Sequence, residues 1–317
     1  MGAAPYSRAT MLEREAALLQ LARQVAETGY RFVTPTPATH GRVNARPGAA
    51  WARDLRDVFG WSRPFREGVV PAAILDTMRE AGVLAPHAGG SRSLVRFSTL
   101  QDLLFVHSAY PTLEADAVFF GPDTYRFARA ILAHPRDTVR RAVDIGCGAG
   151  PGAILVARAH PEAEVLAVDI NDAALRMTRV NATLAGATVR TVRSDLLSGT
   201  EGIFDLIVAN PPYLVDPAGR RYRHGGGALG AGLSLAILDA AIERLAPGGT
   251  LLLYTGAAVV GGEDSFREGS RTRLAGSGLA WTYDEIDPDV FGEELEHGVY
   301  TQADRIAAVL LTATKHR

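Results

Sequence analysis

The chain of 317 residues contains one cysteine, Cys147, and one lysine, Lys315. A single cysteine excludes an internal disulfide and fits a reducing compartment, so a cytoplasmic location is expected. Thirty-two of the 33 basic residues are therefore arginine, which could be read as a preference for phosphate but is put down to a base-composition bias in the encoding genome. No run approaches the ~20 apolar residues of a membrane-spanning helix, and no membrane partner is expected. Met1-Gly2-Ala3-Ala4-Pro5 leads into charge rather than into an apolar signal core. The sixth position is Tyr6, where myristoylation wants Ser or Thr. Net charge is only −2, which excludes a global basic field steering the protein onto nucleic acid. There is no internal repeat, and no metal-ligand cluster is expected.

What is present is an apolar fraction of 47%, enough for a sizeable core and for one large domain with a smaller one before it. Residues 9–29 read as an amphipathic helix with Leu12, Leu19 and Val25 inside and Glu13, Glu15 and Arg23 outside. Residues 34–50, rich in Pro, Gly and Thr, read as a linker. Two short helices are expected at 51–59 and 71–81, then β-like stretches at 94–98 and 103–107. Helix, helix, hairpin is compatible with a small winged-helix-like α+β module over residues 1–115, a substrate-recognition region with 13 arginines against 10 acids.

From about residue 140 apolar strands alternate with helices. Strands are expected at 142–145, 165–168, 188–192, 206–209 and 250–254, with helices at 152–159, 173–185 and 233–245. Stretches 279–286 and 305–312 add a hairpin-like pair around a polar insertion. The class is α/β: a Rossmann-like, mostly parallel sheet with an antiparallel last strand.

The chemistry-bearing residues sit at the ends of these strands. Asp144 and the loop Gly146-Cys147-Gly148-Ala149-Gly150 close the first, where glycine permits a tight turn and backbone approach to a ligand. Asp169 ends the second strand 23 residues beyond Gly146, placed to accept hydrogen bonds from ribose hydroxyls, with Ile170 and Asn171 beside it. Asp195, between Ser194 and Leu196, ends the third and can meet an amino group. Asn210-Pro211-Pro212-Tyr213 ends the fourth, combining an amide, a stiff carbonyl and an aromatic ring. These three parts can hold a flat nitrogen by its N–H groups, with Tyr213 as a stacking face.

This ordered set resembles the class I S-adenosylmethionine-dependent N-methyltransferases from roughly residue 115 to the end. The resemblance implies a cofactor loop that accommodates methionine, Asp144 supporting its ammonium end, and Asn210 at the reaction centre. It also points to Phe120, Asp123 and Thr124 as residues of a loop over the cofactor. Within the class, the tetrapeptide and the Ala228-Leu229-Gly230-Ala231-Gly232-Leu233 stretch are most similar to the HemK-like glutamine methyltransferases of release factors. A protein glutamine is then the expected acceptor. A nucleic-acid base, which Tyr213 would stack upon equally well, stays open beside it, as do a small-molecule amine and a non-catalytic scaffold. Arg220-Arg221-Tyr222-Arg223-His224 and the glycines after it read as a mobile lid over 214–232, able to clamp an anion.

Overall fold

The computed structural model describes residues 8–216, 220 and 222–317. The start of the chain, Arg221 and the stretch 217–219 of the expected lid lie outside the described residues. Two compact units emerge. One runs to Leu113 and adds Val118–Pro122 and Arg179–Ala187; the other comprises Glu114–Ala117, Asp123–Thr178 and Thr188–Arg317.

The first unit contains helices α1 (Arg8–Glu27), α2 (Pro37–Asn44), α3 (Leu55–Phe59) and α4 (Ala72–Glu80), then two hairpins, β1 (Leu84–His87) with β2 (Gly90–Ser93) and β3 (Val95–Leu100) with β4 (Leu103–Ser108). The buried stripe of α1 is Leu18, Leu21, Ala22 and Val25, while Leu12, expected inside, is 60% exposed. Helix α2 corrects the linker expectation. Thr36 accepts the Thr39 amide and Pro37 opens the first turn, so Thr-Pro here starts a helix rather than a loop. Helix α4 stops at Gly82, whose φ of +67° suits a residue without a side chain. The β1–β2 hairpin was absent from the expectation, because four-residue strands carrying Pro, His and Gly show no alternation. Phe59, Phe97, Phe105 and Met78 fill the interior of this unit.

The second unit is built on one twisted sheet. Its elements are α5 (Pro122–Ala133, Pro122 itself counting with the first unit), β5 (Arg141–Ile145), α6 (Pro151–Ala159), β6 (Glu164–Asp169), α7 (Asp172–Leu184, of which the part from Arg179 counts with the first unit), β7 (Arg190–Arg193), β8 (Phe204–Ala209), α8 (Gly232–Arg244), β9 (Leu245–Val260), the short β10 (Glu263–Asp264), α9 (Ser265–Leu274), β11 (Leu279–Asp287) and β12 (Arg305–Lys315). Strand order is β11-β12-β9-β8-β5-β6-β7. The pairs β9–β8, β8–β5, β5–β6 and β6–β7 are parallel, and β12 runs antiparallel between β9 and β11. The expected mixed sheet is found. Val143, Leu166, Ile207, Leu251 and Val309, all fully buried, show why the inner strands are almost unbroken apolar runs. Strand β9 is far longer than the expected 250–254. Its Gly-Pro-rich start reads as a turn, yet Leu245 pairs with Phe204 of β8 and the far end with β12 and β10.

Candidate functional site

Parallel pairing fixes where the strand-end residues meet. Ile145 lies opposite Val168 and Ala209, and Asp169 opposite Arg193. The next residues along, Gly146, Asp169 and Asn210, therefore share the carboxyl edge of the sheet. From β5 the chain proceeds to β6 and β7 on one side and to β8 and β9 on the other. That reversal opens a crevice at the ends of β5 and β8, where open α/β sheets receive ligands.

The glycine loop turns sharply, with φ of +70° at Gly146, +55° at Gly148 and +84° at Gly150. A methyl group at Gly146 or Gly148 would meet no atom within 4 Å, so this backbone borders open space. Gly150 differs: a side chain there would strike Thr178, 2.8 Å away. It is the left-handed cap of α6. Cys147 is buried beneath the loop, 3.4 Å from the Thr178 hydroxyl, and burial pushes its thiol far up, so it packs and does not react.

Asp144 is 1% exposed and accepts the Ala153 amide at 2.9 Å, in the first turn of α6. Burial, with Asp169 adding repulsion, raises its carboxyl to about 7. Gly152 is obligatory beside it, since a Cβ would come within 2.7 Å of the Asp144 oxygen. Asp169 accepts the Gly148 amide at 3.1 Å and the Asn171 amide at 2.9 Å, so one carboxylate ties loop to strand end. Asn171 itself is occupied. Its side-chain oxygen accepts the Ala173 amide, its side-chain nitrogen donates to the Asp116 carbonyl, and its backbone carbonyl accepts the Leu175 amide, so Asn171 shapes the turn after β6. Ile170 is 45% exposed on the same edge.

Ser194 is buried and its hydroxyl closes its own turn, donating to the Leu196 carbonyl and accepting the Gly199 amide, both at 2.8 Å. Leu196 adopts a φ of +48°, and this turn leaves the Asp195 carboxylate exposed with no side-chain hydrogen bond among the described residues. Asn210 is half-buried. Among the described residues neither its amide nor the Pro211 carbonyl has a hydrogen-bond partner.

Tyr213 departs from expectation. It is 7% exposed, its ring lies against Gly256 of β9, and Phe291 meets it edge-on at 5.8 Å. An open stacking face is not what this ring offers in the structure. Its buried hydroxyl feels the charge of Asp123 yet makes no hydrogen bond of ordinary geometry, and burial raises it well above its usual range. Asp123, buried in α5, accepts the Tyr254 hydroxyl at 2.7 Å. Phe120 also lies elsewhere than expected: it belongs to the first unit, stacked on His107 at 5.1 Å and packed on Phe105. Thr124 is buried in α5.

The described part of the lid is anchored rather than loose. Arg220 grips Asp216 with two guanidinium bonds, at 2.9 and 2.6 Å, and Arg223 pairs with Glu294. The Arg220 guanidinium holds the Asp216 carboxyl down at about 2. His224 Nδ1 accepts the Asp216 amide at 3.2 Å, which gives it a local structural partner. Tyr300, which no motif singles out, accepts the Val215 amide and donates to the Leu229 carbonyl, pinning the segment after Tyr213 to the loop before α8.

Residues 116–259 match the methyltransferase small domain. The chain is 36% identical over 156 residues to the release factor glutamine methyltransferase of Deinococcus radiodurans, covering 45% of this chain and 55% of that protein. It is 36% identical over 132 residues to the ribosomal protein uL3 glutamine methyltransferase of Neisseria meningitidis, covering 38% and 44%. The chain thus spans about half the length of the curated relatives it matches. Among solved structures, Trm5b from Pyrococcus abyssi superposes with a TM-score of 0.50 at 16% identity, over 77% of this chain and 67% of that one. At that identity the likeness concerns the fold.

Proposed function

Residues 116–259 being a methyltransferase small domain, whose methyl donor is S-adenosylmethionine, we propose that the chain methylates the side-chain amide nitrogen of a protein glutamine. The observation that carries this reading is the pair of free acceptors, the Asn210 amide oxygen and the Pro211 carbonyl, at the end of β8 beside the glycine loop.

The crevice fits the cofactor. Open space over Gly146 and Gly148 admits an amino-acid moiety against the backbone, and the pinned Asp169 carboxylate suits two ribose hydroxyls. Exposed Ile170 gives a flat base an apolar seat, and Asp195 an acceptor for its amino group. Asp144, already near its ionisation point at neutral pH, takes up negative charge when an ammonium group approaches. Bound there, S-adenosylmethionine supplies an electrophilic methyl group on sulfonium.

The protein's share is orientation. A primary amide nitrogen is a weak nucleophile because its lone pair is delocalised into the carbonyl. Asn210 and Pro211, each accepting one N–H, fix the plane of that nitrogen and stabilise the positive charge it gains in the transition state. Two successive prolines keep the carbonyl aimed. Tyr213 contributes as a buried post under the turn, wedged between Gly256 and Phe291. No strong base is required, since the nitrogen loses its proton after transfer. Glutamine is favoured over a base or free amine by the two relatives named for glutamine methylation. Residues 1–115 serve in this reading as the region that recognises the substrate.

The test is to incubate the protein with methyl-tritiated S-adenosylmethionine and cell lysate, then divide the label by protease and nuclease. Protease-sensitive label is expected; label released by nuclease would replace the glutamine reading with base methylation.

A further inference from the structure

Between residues 31 and 66 stand seven arginines and only two acids, Asp54 and Asp57, in a chain whose net charge is −2. The fold of the first unit gathers four of these arginines into one place. Arg46, Arg53, Arg56 and Arg63 line a cleft of about 360 Å³ with Asp57 and Trp61, within the size range of small-ligand sites.

The internal balance of this cleft is incomplete. Asp57, buried, is shared by Arg53 at 2.9 Å and Arg63 at 2.7 Å, so one carboxylate answers two guanidinia. Arg63 is further fixed by donating to the Asn44 oxygen at 2.9 Å. Arg46 and Arg56 are exposed and have no carboxylate partner among the described residues; Arg56 has only the Phe32 ring, 6.0 Å away. His40 lies nearby, held down at about 4 chiefly by its burial, with smaller contributions from Arg96 and Arg63. Trp61 is half-buried, braced edge-to-face by Phe32 at 5.2 Å, and presents an indole at the cleft.

From this geometry we infer that the cleft binds the phosphates of a single-stranded nucleic acid, with Arg46 and Arg56 as the free guanidinium forks and Trp61 as an adjoining ring for a base. A planar fork matches phosphate oxygens two at a time. Four arginines against Asp57 and the neighbouring Asp54 leave an excess of about two positive charges, which calls for consecutive phosphodiesters rather than the lone carboxylate of a peptide side chain. An indole beside such a groove is the usual partner of an unstacked base. The inference stands apart from the glutamine reading: a protein acceptor held in an RNA-containing assembly could be reached through RNA, and its failure leaves the reaction centre untouched.

The experiment is fluorescence anisotropy of a labelled oligouridine titrated with the full chain, at several salt concentrations. Arg46→Ala/Arg56→Ala is expected to weaken binding about tenfold and to reduce the salt slope by about 1.4, at roughly 0.7 per phosphate contact on single strands. Both residues are exposed, and unchanged affinity for S-adenosylmethionine confirms that the variant is folded. Equal affinity of wild type and variant would overturn the inference. So would competition by inorganic phosphate as effective as by oligouridine, which marks an isolated phosphate site, or by polyglutamate, which marks an acidic-protein surface.

Discussion

The Asp169 carboxylate accepts the backbone amide of Gly148 at 3.1 Å, locking the glycine loop after β5 to the end of β6. The same carboxylate that suits a ribose thus also shapes the loop that borders the crevice. Asp169→Ala should weaken S-adenosylmethionine binding by at least tenfold in calorimetry, while Asp169→Asn, which keeps an acceptor for Gly148, should lose less. Wild-type affinity in the alanine variant would remove Asp169 from the site.

Asp144 gives a pH dependence of definite sign. Its carboxyl sits at about 7 when folded against an ordinary 3.8, so between those values the native protein holds a proton that the unfolded chain has released. This group's contribution to stability is therefore full below about pH 4 and is lost as pH rises through 7. Asp144→Asn, which can still accept the Ala153 amide, should gain stability relative to wild type at pH 8 and show no such gain at pH 4. Thermal melts of the two proteins across that range check it.

Gly256 of β9 lies directly against the Tyr213 ring, next to the proposed reaction centre. A Cβ there would enter the Tyr213 ring, and neither the central strand nor the buried ring has room to yield. Gly256→Ala should cost about 1–3 kcal/mol of stability, as overpacking of a full core does. Transfer should fall further than cofactor affinity, because the displaced ring carries Asn210 and Pro211 with it. Denaturant unfolding together with transfer rates separates the two effects.

Much of this architecture was legible in the sequence because the inner strands β5, β6 and β8 are short, largely apolar runs at whose ends a polar or glycine residue follows. Asp144, Asp169, Asp195 and Asn210 follow one another at successive strand ends in the chain, and the sheet places Asn210 on the far side of Asp144 from the other two. What stayed hidden depends on partners far away in the chain. Nothing near Tyr213 announces that Gly256 will cover its ring, nor near Val215 that Tyr300 will hold its amide. Arg220 and Arg223 read as parts of a mobile anion clamp because Asp216 and Glu294 are not visible as their partners in one dimension. Phe120 looked like pocket lining because an aromatic in a loop carries no sign of which interior it will enter. Helix α2 was hidden by Thr-Pro, which opens helices and loops alike.

The central claim is that Asn210 orients the methyl acceptor. Its most direct test is Asn210→Ala with cofactor affinity by calorimetry and methyl transfer to the protein fraction of cell lysate measured on one preparation. Transfer is expected to fall about 100-fold or more, the scale of losing one aimed transition-state group, with cofactor affinity within a few-fold of wild type. Undiminished transfer, or loss of cofactor binding in step with transfer, would contradict the account.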